Sequence, residues 1–155
     1  MILTGKNAVI TGGGTGIGLA IAHNLAAHGC KVAITGRRLS VLEAACGSFN
    51  GLPVKMDVSD ETSVIGGMQH IANKLGSIDI CVANAGIAEG QNIHNSSFDF
   101  WRKIMAINLD GAYLTIRESL RHMQVKDWGR VIAISSIAGL RGLKGAHAYS
   151  ASKHG

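Results

Sequence analysis

The residues best equipped for chemistry stand in AYSASKHG, where Tyr149 and Lys153 are four positions apart with small residues between them. On a helix, side chains at i and i+4 share a face, with Cβ atoms about 5–6 Å apart. An ammonium beside a phenol favours the phenolate; at about 4 Å and an effective dielectric of about 20 the attraction is about 4 kcal/mol. Such a phenol can take a proton from an alcohol and return it to a ketone, which is general acid–base work. Read singly, Tyr149 is equally a half-buried aromatic and Lys153 a solvated charge. The pair needs company.

Company comes from the other end of the chain. VITGGGTGIG (9–18) holds a glycine turn in which Thr11-Gly12 is followed by Gly14, Thr15, Gly16, Ile17 and Gly18. No three glycines here stand at i, i+2 and i+5, so the strict GxGxxG spacing is absent. The physics is the same: glycines permit a tight turn and close backbone approach, and a following helix presents free N–H groups to a pyrophosphate. A P-loop is excluded because Leu19 and Ala20 follow Gly18 where that motif requires Lys and Ser or Thr. The bland alternative is a glycine-rich turn with no ligand.

The elements that must position these residues follow from pattern. NAVIT (7–11) and KVAIT (31–35) read as buried strands, as do LPVKMDV (52–58), IDICVA (78–83) and RVIAIS (130–135). Between them, helices are expected over 17–28, with Ile17, Ala20, Ile21 and Leu25 on one stripe and Gly29 as stop. Further helices are expected over 39–49, over about 60–75 with Ser59 or Asp60 as cap and Gly76 as stop, and as one long helix from Ser97 to Met123. Strand and helix alternate, so the fold class is α/β: a Rossmann-type, doubly wound parallel sheet in one dinucleotide-binding domain, 1–155. In such sheets ligands bind beyond the carboxyl ends of the strands, where every motif named here falls.

The Thr-Gly-xxx-Gly-x-Gly form resembles the short-chain dehydrogenase/reductase family, and the likeness continues along nearly the whole chain. Asp57-Val58 is similar to the family's aspartate element that meets the adenine ring. Asn84-Ala85-Gly86 is similar to its Asn-Ala-Gly element after the fourth strand. Asn108 in MAINLDGAY matches the family's helix asparagine, Ser136 in AISSIAG its catalytic serine, and Tyr149-xxx-Lys153 its defining pair. The resemblance implies an NAD(P)-dependent oxidoreductase that interconverts a small-molecule ketone and a secondary alcohol. Tyr149 is then the acid/base, Lys153 also holds the nicotinamide ribose, Ser136 (rather than its neighbour Ser135) binds the substrate oxygen, and Asn108 supports a water-linked proton relay. Hydride chemistry belongs to the cofactor.

The choice between cofactors is expected about 20 residues beyond the glycine turn. An acid there would bind the 2′-hydroxyl of NAD. In ITGRR, Gly36 occupies that place and Arg37 and Arg38 follow. Arginine pairs a phosphate bidentately, so NADP(H) is favoured and NAD(H) is the alternative.

Composition removes other classes. With 46% hydrophobic and 16% charged residues the chain reads as globular. No segment approaches the roughly 20 apolar residues of a membrane span. Net charge is +5, but the fifteen Lys and Arg are dispersed and aromatics are only 5%, so no nucleic-acid platform is expected. Seven scattered histidines show no metal-ligand spacing. Cys30, Cys46 and Cys81 are widely spaced and read as reduced thiols of a cytoplasmic protein.

The resemblance also implies further strands after Lys153. The expectation is therefore an N-terminal part of a longer, homo-oligomeric reductase, five strands present and the C-terminal strands missing, with β-edge and helix surface left bare. A dinucleotide-binding fragment or pseudoenzyme without turnover is the second reading.

Overall fold

The computed structural model describes residues 1–124 and 128–155. Strand β1 (Asn7–Thr11) is buried at every position and lies between β2 (Lys31–Gly36) and β4 (Ile80–Ala83). Outside these, β3 (Leu52–Lys55) pairs with β2, and β5 (Arg130–Ala133) with β4. All pairings are parallel, giving one five-stranded sheet in the order β3-β2-β1-β4-β5. Strand order reverses between β1 and β4, and that reversal opens a crevice at the strands' carboxyl ends.

Side chains alternate across a strand, and each face of the sheet gathers its own core. On one face Ala8, Ile10, Val32, Ile34, Ile80 and Val82 meet Ala22 of helix α1 (Gly16–Ala27) and Leu42 and Cys46 of α2 (Leu39–Cys46). On the other, Val9, Ala33, Val54 and Cys81 meet Val64, Met68 and Ile71 of α3 (Glu61–Leu75), and Met123 ends a second covering helix. Each fully buried Ile, Val or Met contributes about 1.5–3 kcal/mol. Burial also pushes the Cys30, Cys46 and Cys81 thiols up to about 11. All three are free.

Several expected boundaries move for physical reasons. Asp60, not Ser59, caps α3, its carboxylate accepting from Ser63 N at 3.2 Å, and Gly76 ends the helix at φ 87°. Strand β3 stops at Lys55 because Asp57 accepts from the Ser59 N–H (3.0 Å) and hydroxyl (2.7 Å) and turns the chain. Helix α2 ends at Cys46, three residues early. The buried face of α1 is carried by Gly18 and Ala22, while Ile17 is 64% exposed toward the crevice and Ala20 is also exposed. Strands β4 and β5 are shorter than the apolar runs that announced them.

The long helix expected from Ser97 is two helices. Ser97 caps α4 (Phe98–Met105), accepting from Phe100 N at 3.1 Å; a π-helical turn, Ala106–Asp110, then precedes α5 (Gly111–Met123). π-turns of this kind gather at functional sites. The last helix, α6 (His147–His154), carries Tyr149 and Lys153. Strand β5 is exposed throughout, Ile132 to 45%, and among the described residues no strand pairs with its outer edge. Among the described residues no helix is long and apolar enough to cross a membrane.

Candidate functional site

A cavity of about 820 Å³ opens at the carboxyl ends of β1, β2, β3 and β4. Gly12, Gly14, Thr15, Gly16 and Ile17 form one wall; Arg37, Asp57 and Val58 close one end; Asn84, Ala85 and Gly86 lie across the middle; Tyr149 and Lys153 complete the other end. Residues up to 141 positions apart in sequence, Gly12 and Lys153, thus share one space. Four other expected site residues, Thr11, Gly18, Asn108 and Ser136, stand outside this lining.

Thr11 is buried, and its hydroxyl accepts from Asn84 N at 3.1 Å and Ala85 N at 3.0 Å, bolting β1 to the segment after β4. Asn84 returns the favour: its amide donates to Thr11 O at 2.9 Å and Gly12 O at 3.3 Å. Gly12 has φ 66°, a left-handed conformation that favours glycine. The N-terminus of α1, whose Thr15, Gly16 and Ile17 line the cavity, has no side-chain cap, so the Thr15 hydroxyl satisfies none of its first N–H groups.

Asn108 sits in the π-turn and is 4% exposed. Its Oδ1 accepts from Ile87 N at 2.8 Å, and Nδ2 donates to Ile87 O at 2.9 Å and Ser152 Oγ at 3.0 Å. Both amide protons and one lone pair of Oδ1 are therefore committed to holding segment and helix together. Replacing Asn108 by alanine strands the Ile87 amide and carbonyl in a part-buried setting. A loss of about 2–4 kcal/mol in stability is expected, read from urea unfolding midpoints at unchanged m-value.

Lys153 Nζ donates to Ile134 O at 2.7 Å and lies 6.0 Å from the Tyr149 ring centroid. The ammonium on the tyrosine's helix face thus also has a tether, at the residue just past β5. The two neighbouring serines divide differently from one another. Ser135 lines the cavity, but its hydroxyl is donated to Lys153 O at 3.2 Å. Ser136 accepts from Ala138 N at 3.2 Å, which leaves its own O–H proton free to donate.

At the far end, the Ser59 hydroxyl holds the Asp57 carboxyl below the usual carboxylate range, with the Ser59 N–H and Arg37 adding to the effect. Arg37 and Arg38 are exposed, and no ion pair among the described residues engages either.

These features have known counterparts. Residues 6–155 match the family model described as short chain dehydrogenase. The chain belongs to the short-chain dehydrogenase family. It is 38% identical over 156 residues to the NADP-dependent (R)-specific alcohol dehydrogenase of Lentilactobacillus kefiri, covering 97% of this chain and 62% of that protein. It is 36% identical over 159 residues to a 3-oxoacyl-(acyl-carrier-protein) reductase of Aquifex aeolicus (strain VF5), covering 99% and 64%. The crystal structure of levodione reductase superposes with a TM-score of 0.95 at 32% identity, covering 99% of this chain and 62% of that one. The chain thus spans somewhat under two thirds of the length of these relatives. Short-chain dehydrogenases are oxidoreductases of small-molecule alcohols and ketones that use NAD(P)(H).

The residues present fit a dinucleotide. Thr35, at the β2 end of the cavity, is fully buried, and its Oγ1 has no hydrogen-bond partner among the described residues. At Gly18 an added Cβ would lie 2.5 Å from Gly12 O, so only glycine lets α1 start this close to the turn. The sequence pattern marks the glycines, Asp57 and the Asn84–Gly86 element, of which Gly12, Gly14, Gly16, Asp57, Asn84, Ala85 and Gly86 line the cavity. It missed Thr35, Ile87 and Ala88 of the lining, whose only mark was their place at the end of a strand or just after one. Gly13 escaped notice inside a run of glycines, yet a Cβ there would meet Ile34 Cγ2 at 2.5 Å.

Proposed function

We propose that this chain carries the cofactor site and the proton-transfer residues of an NAD(P)-dependent reductase that interconverts a ketone and a secondary alcohol. One observation carries the reading: Tyr149 and Lys153 share a single cavity with the glycine turn and the Asn84–Gly86 segment. Thr11, Gly12, Gly14, Thr15, Gly16, Ile17 and Gly18 would hold the pyrophosphate, Asp57 and Val58 the adenine, and Lys153 the nicotinamide ribose. The bound nicotinamide supplies hydride transfer to or from carbon. The chain's own work is to orient and to move the proton: Tyr149 Oη protonates the forming alkoxide in reduction and takes that proton in oxidation. Ser136 donates its uncommitted O–H to the same substrate oxygen. Asn108 serves by fixing the segment at Ile87 against α6.

NADP(H) is the favoured cofactor. Two guanidinium groups stand at the cavity's end with no acid beside Gly36, a setting that welcomes a 2′-phosphate and gives NAD nothing equivalent. Arg37→Asp should weaken NADPH binding about tenfold to a hundredfold and leave NADH unchanged or tighter, measured by titrating cofactor fluorescence. Tighter NADH binding by the parent, with Arg37→Asp altering neither, defeats the assignment.

We favour 3-oxoacyl or 3-hydroxyacyl thioesters among substrates, a reading supported by the name of the Aquifex relative; the Lentilactobacillus relative is named for alcohols. Consumption of NADPH fluorescence with a panel of 3-oxoacyl thioesters and simple ketones tests both activity and class. Absence of turnover across the panel alongside tight cofactor binding favours the second reading, a dinucleotide-binding module. Free, buried cysteines support a cytoplasmic setting. Phe98, Tyr113 and Leu120, 69%, 60% and 45% exposed on α4 and α5, support self-association.

A further inference from the structure

Helix α6 begins without a capping side chain. Its N-cap is Ala146 (φ −123°, ψ 36°), preceded by Gly145 at φ 72°. A helix of eight residues lacking a cap is marginal by its local interactions, so something outside it must decide where it starts.

His147, its first residue, makes that connection. Nδ1 lies 3.2 Å from Gln91 O, and Nε2 lies 3.1 Å from Ser96 Oγ. The ring is stacked on Trp101 of α4 at 6.4 Å and 6°, with Phe100 tilted beside it at 6.1 Å. Next to it Gln91 and Ala146 form an isolated parallel bridge, and a Cβ on Gly90 would come within 2.8 Å of Gly145 O. The stretch so held, 86–96, is the continuation of the cavity-lining Asn84–Gly86. It is anchored again by Asn108 at Ile87 and by Lys103, which meets both Glu89 carboxylate oxygens at 2.7 and 2.8 Å.

We propose that His147 is a positioning residue: it registers α6, and with it Tyr149 two residues on, against the segment that leaves the cofactor crevice. It lies outside the lining of the cofactor cavity and touches no reacting atom. A carbonyl only accepts, so Nδ1 carries the proton, and in the neutral ring Nε2 is the acceptor for the Ser96 hydroxyl. This role rests on the reading of Tyr149 as acid/base.

The test compares His147→Ala, His147→Asn and His147→Phe in the full chain, with Tyr149→Phe alongside. His147→Ala should lower kcat about tenfold to a hundredfold, leave cofactor affinity within about twofold, and speed amide exchange over 148–154. His147→Asn, whose amide can still donate to Gln91 O, should recover most of kcat and protection. His147→Phe keeps a ring on Trp101 but neither polar contact, and should not. Nitrogen-15 spectra of the neutral ring should report the Nδ1–H tautomer. An Nε2–H tautomer, a His147→Phe protein equal to the parent, or a His147→Ala protein with unchanged kcat each overturns the proposal. Should His147→Ala fail to fold, the Asn and Phe pair and the tautomer decide alone. Retained turnover in Tyr149→Phe would instead sink the acid/base reading, and exchange rates and tautomer would still judge the anchor.

Discussion

Tyr149→Phe should cut turnover by about 10²- to 10⁴-fold while dinucleotide affinity stays within about twofold. The substitution removes one oxygen and keeps the ring. The buried contacts of α6, made by Ala148, Ser150 and Ser152, are left in place, as is the Lys153 tether to Ile134 O. A change confined to kcat is therefore chemical in origin. Steady-state rates with NADPH and the best ketone of the panel, beside a fluorescence titration of the cofactor, measure both quantities on one preparation. A phenylalanine variant within tenfold of the parent would remove the phenol from the mechanism and leave Ser136 as the remaining donor to the substrate oxygen.

Gly18→Ala should be nearly as damaging, by a different route. Its Cβ would lie 2.5 Å from Gly12 O and 2.5 Å from Asn84 Nδ2, with Gly12 C at 3.0 Å. Gly12 belongs to the turn itself, and Asn84 Nδ2 is the group that donates to Thr11 O and Gly12 O. Neither can retreat without undoing the junction of β1, α1 and β4. Dinucleotide affinity should fall by about a hundredfold or more, equivalent to about 2.7 kcal/mol. Gly16→Ala is the instructive partner. Nothing lies within 4 Å of a Cβ there, and only its φ of 54° opposes a side chain. That left-handed strain costs roughly 1–2 kcal/mol, so its loss of affinity should be the smaller of the two. Equal effects, or a Gly18→Ala protein that binds like the parent, would mean that backbone approach does not shape this site.

Both substitutions sit in motifs that could be read without coordinates, and the reason is local. Strand β1 is legible because NAVIT is an unbroken apolar run ended by glycine, and burial at all five positions is what such a run requires in a covered parallel sheet. The stop at Gly76 is legible because an αL residue after an apolar stripe is a short-range necessity. The turn at 12–18 and the Tyr149–Lys153 spacing are likewise written within a few residues of themselves. Each of these signals survives because the interaction it encodes spans one turn or one strand.

What escaped was long in reach. The π-turn inside the expected single helix follows from Asn108, which must meet Ile87 and Ser152, 21 and 44 positions away. Helical periodicity is blind to such a demand. Spacing puts Lys153 on the face of Tyr149, but only the fold shows that its ammonium also donates to Ile134 O, 19 positions away. The stripe of α1 was misplaced at Ala20 because a small residue scores as apolar while lying on the solvent side.

By itself, then, the sequence determined the alternation of strand and helix, the turn able to receive a pyrophosphate, and the residue types suited to proton transfer. These depend on neighbours in the chain. Tertiary structure alone decided which of them meet: Thr11 with Asn84 across 73 positions and His147 with Gln91 across 56. A hydrogen bond is lost over a few tenths of an ångström, and no spacing rule carries that precision across half a chain.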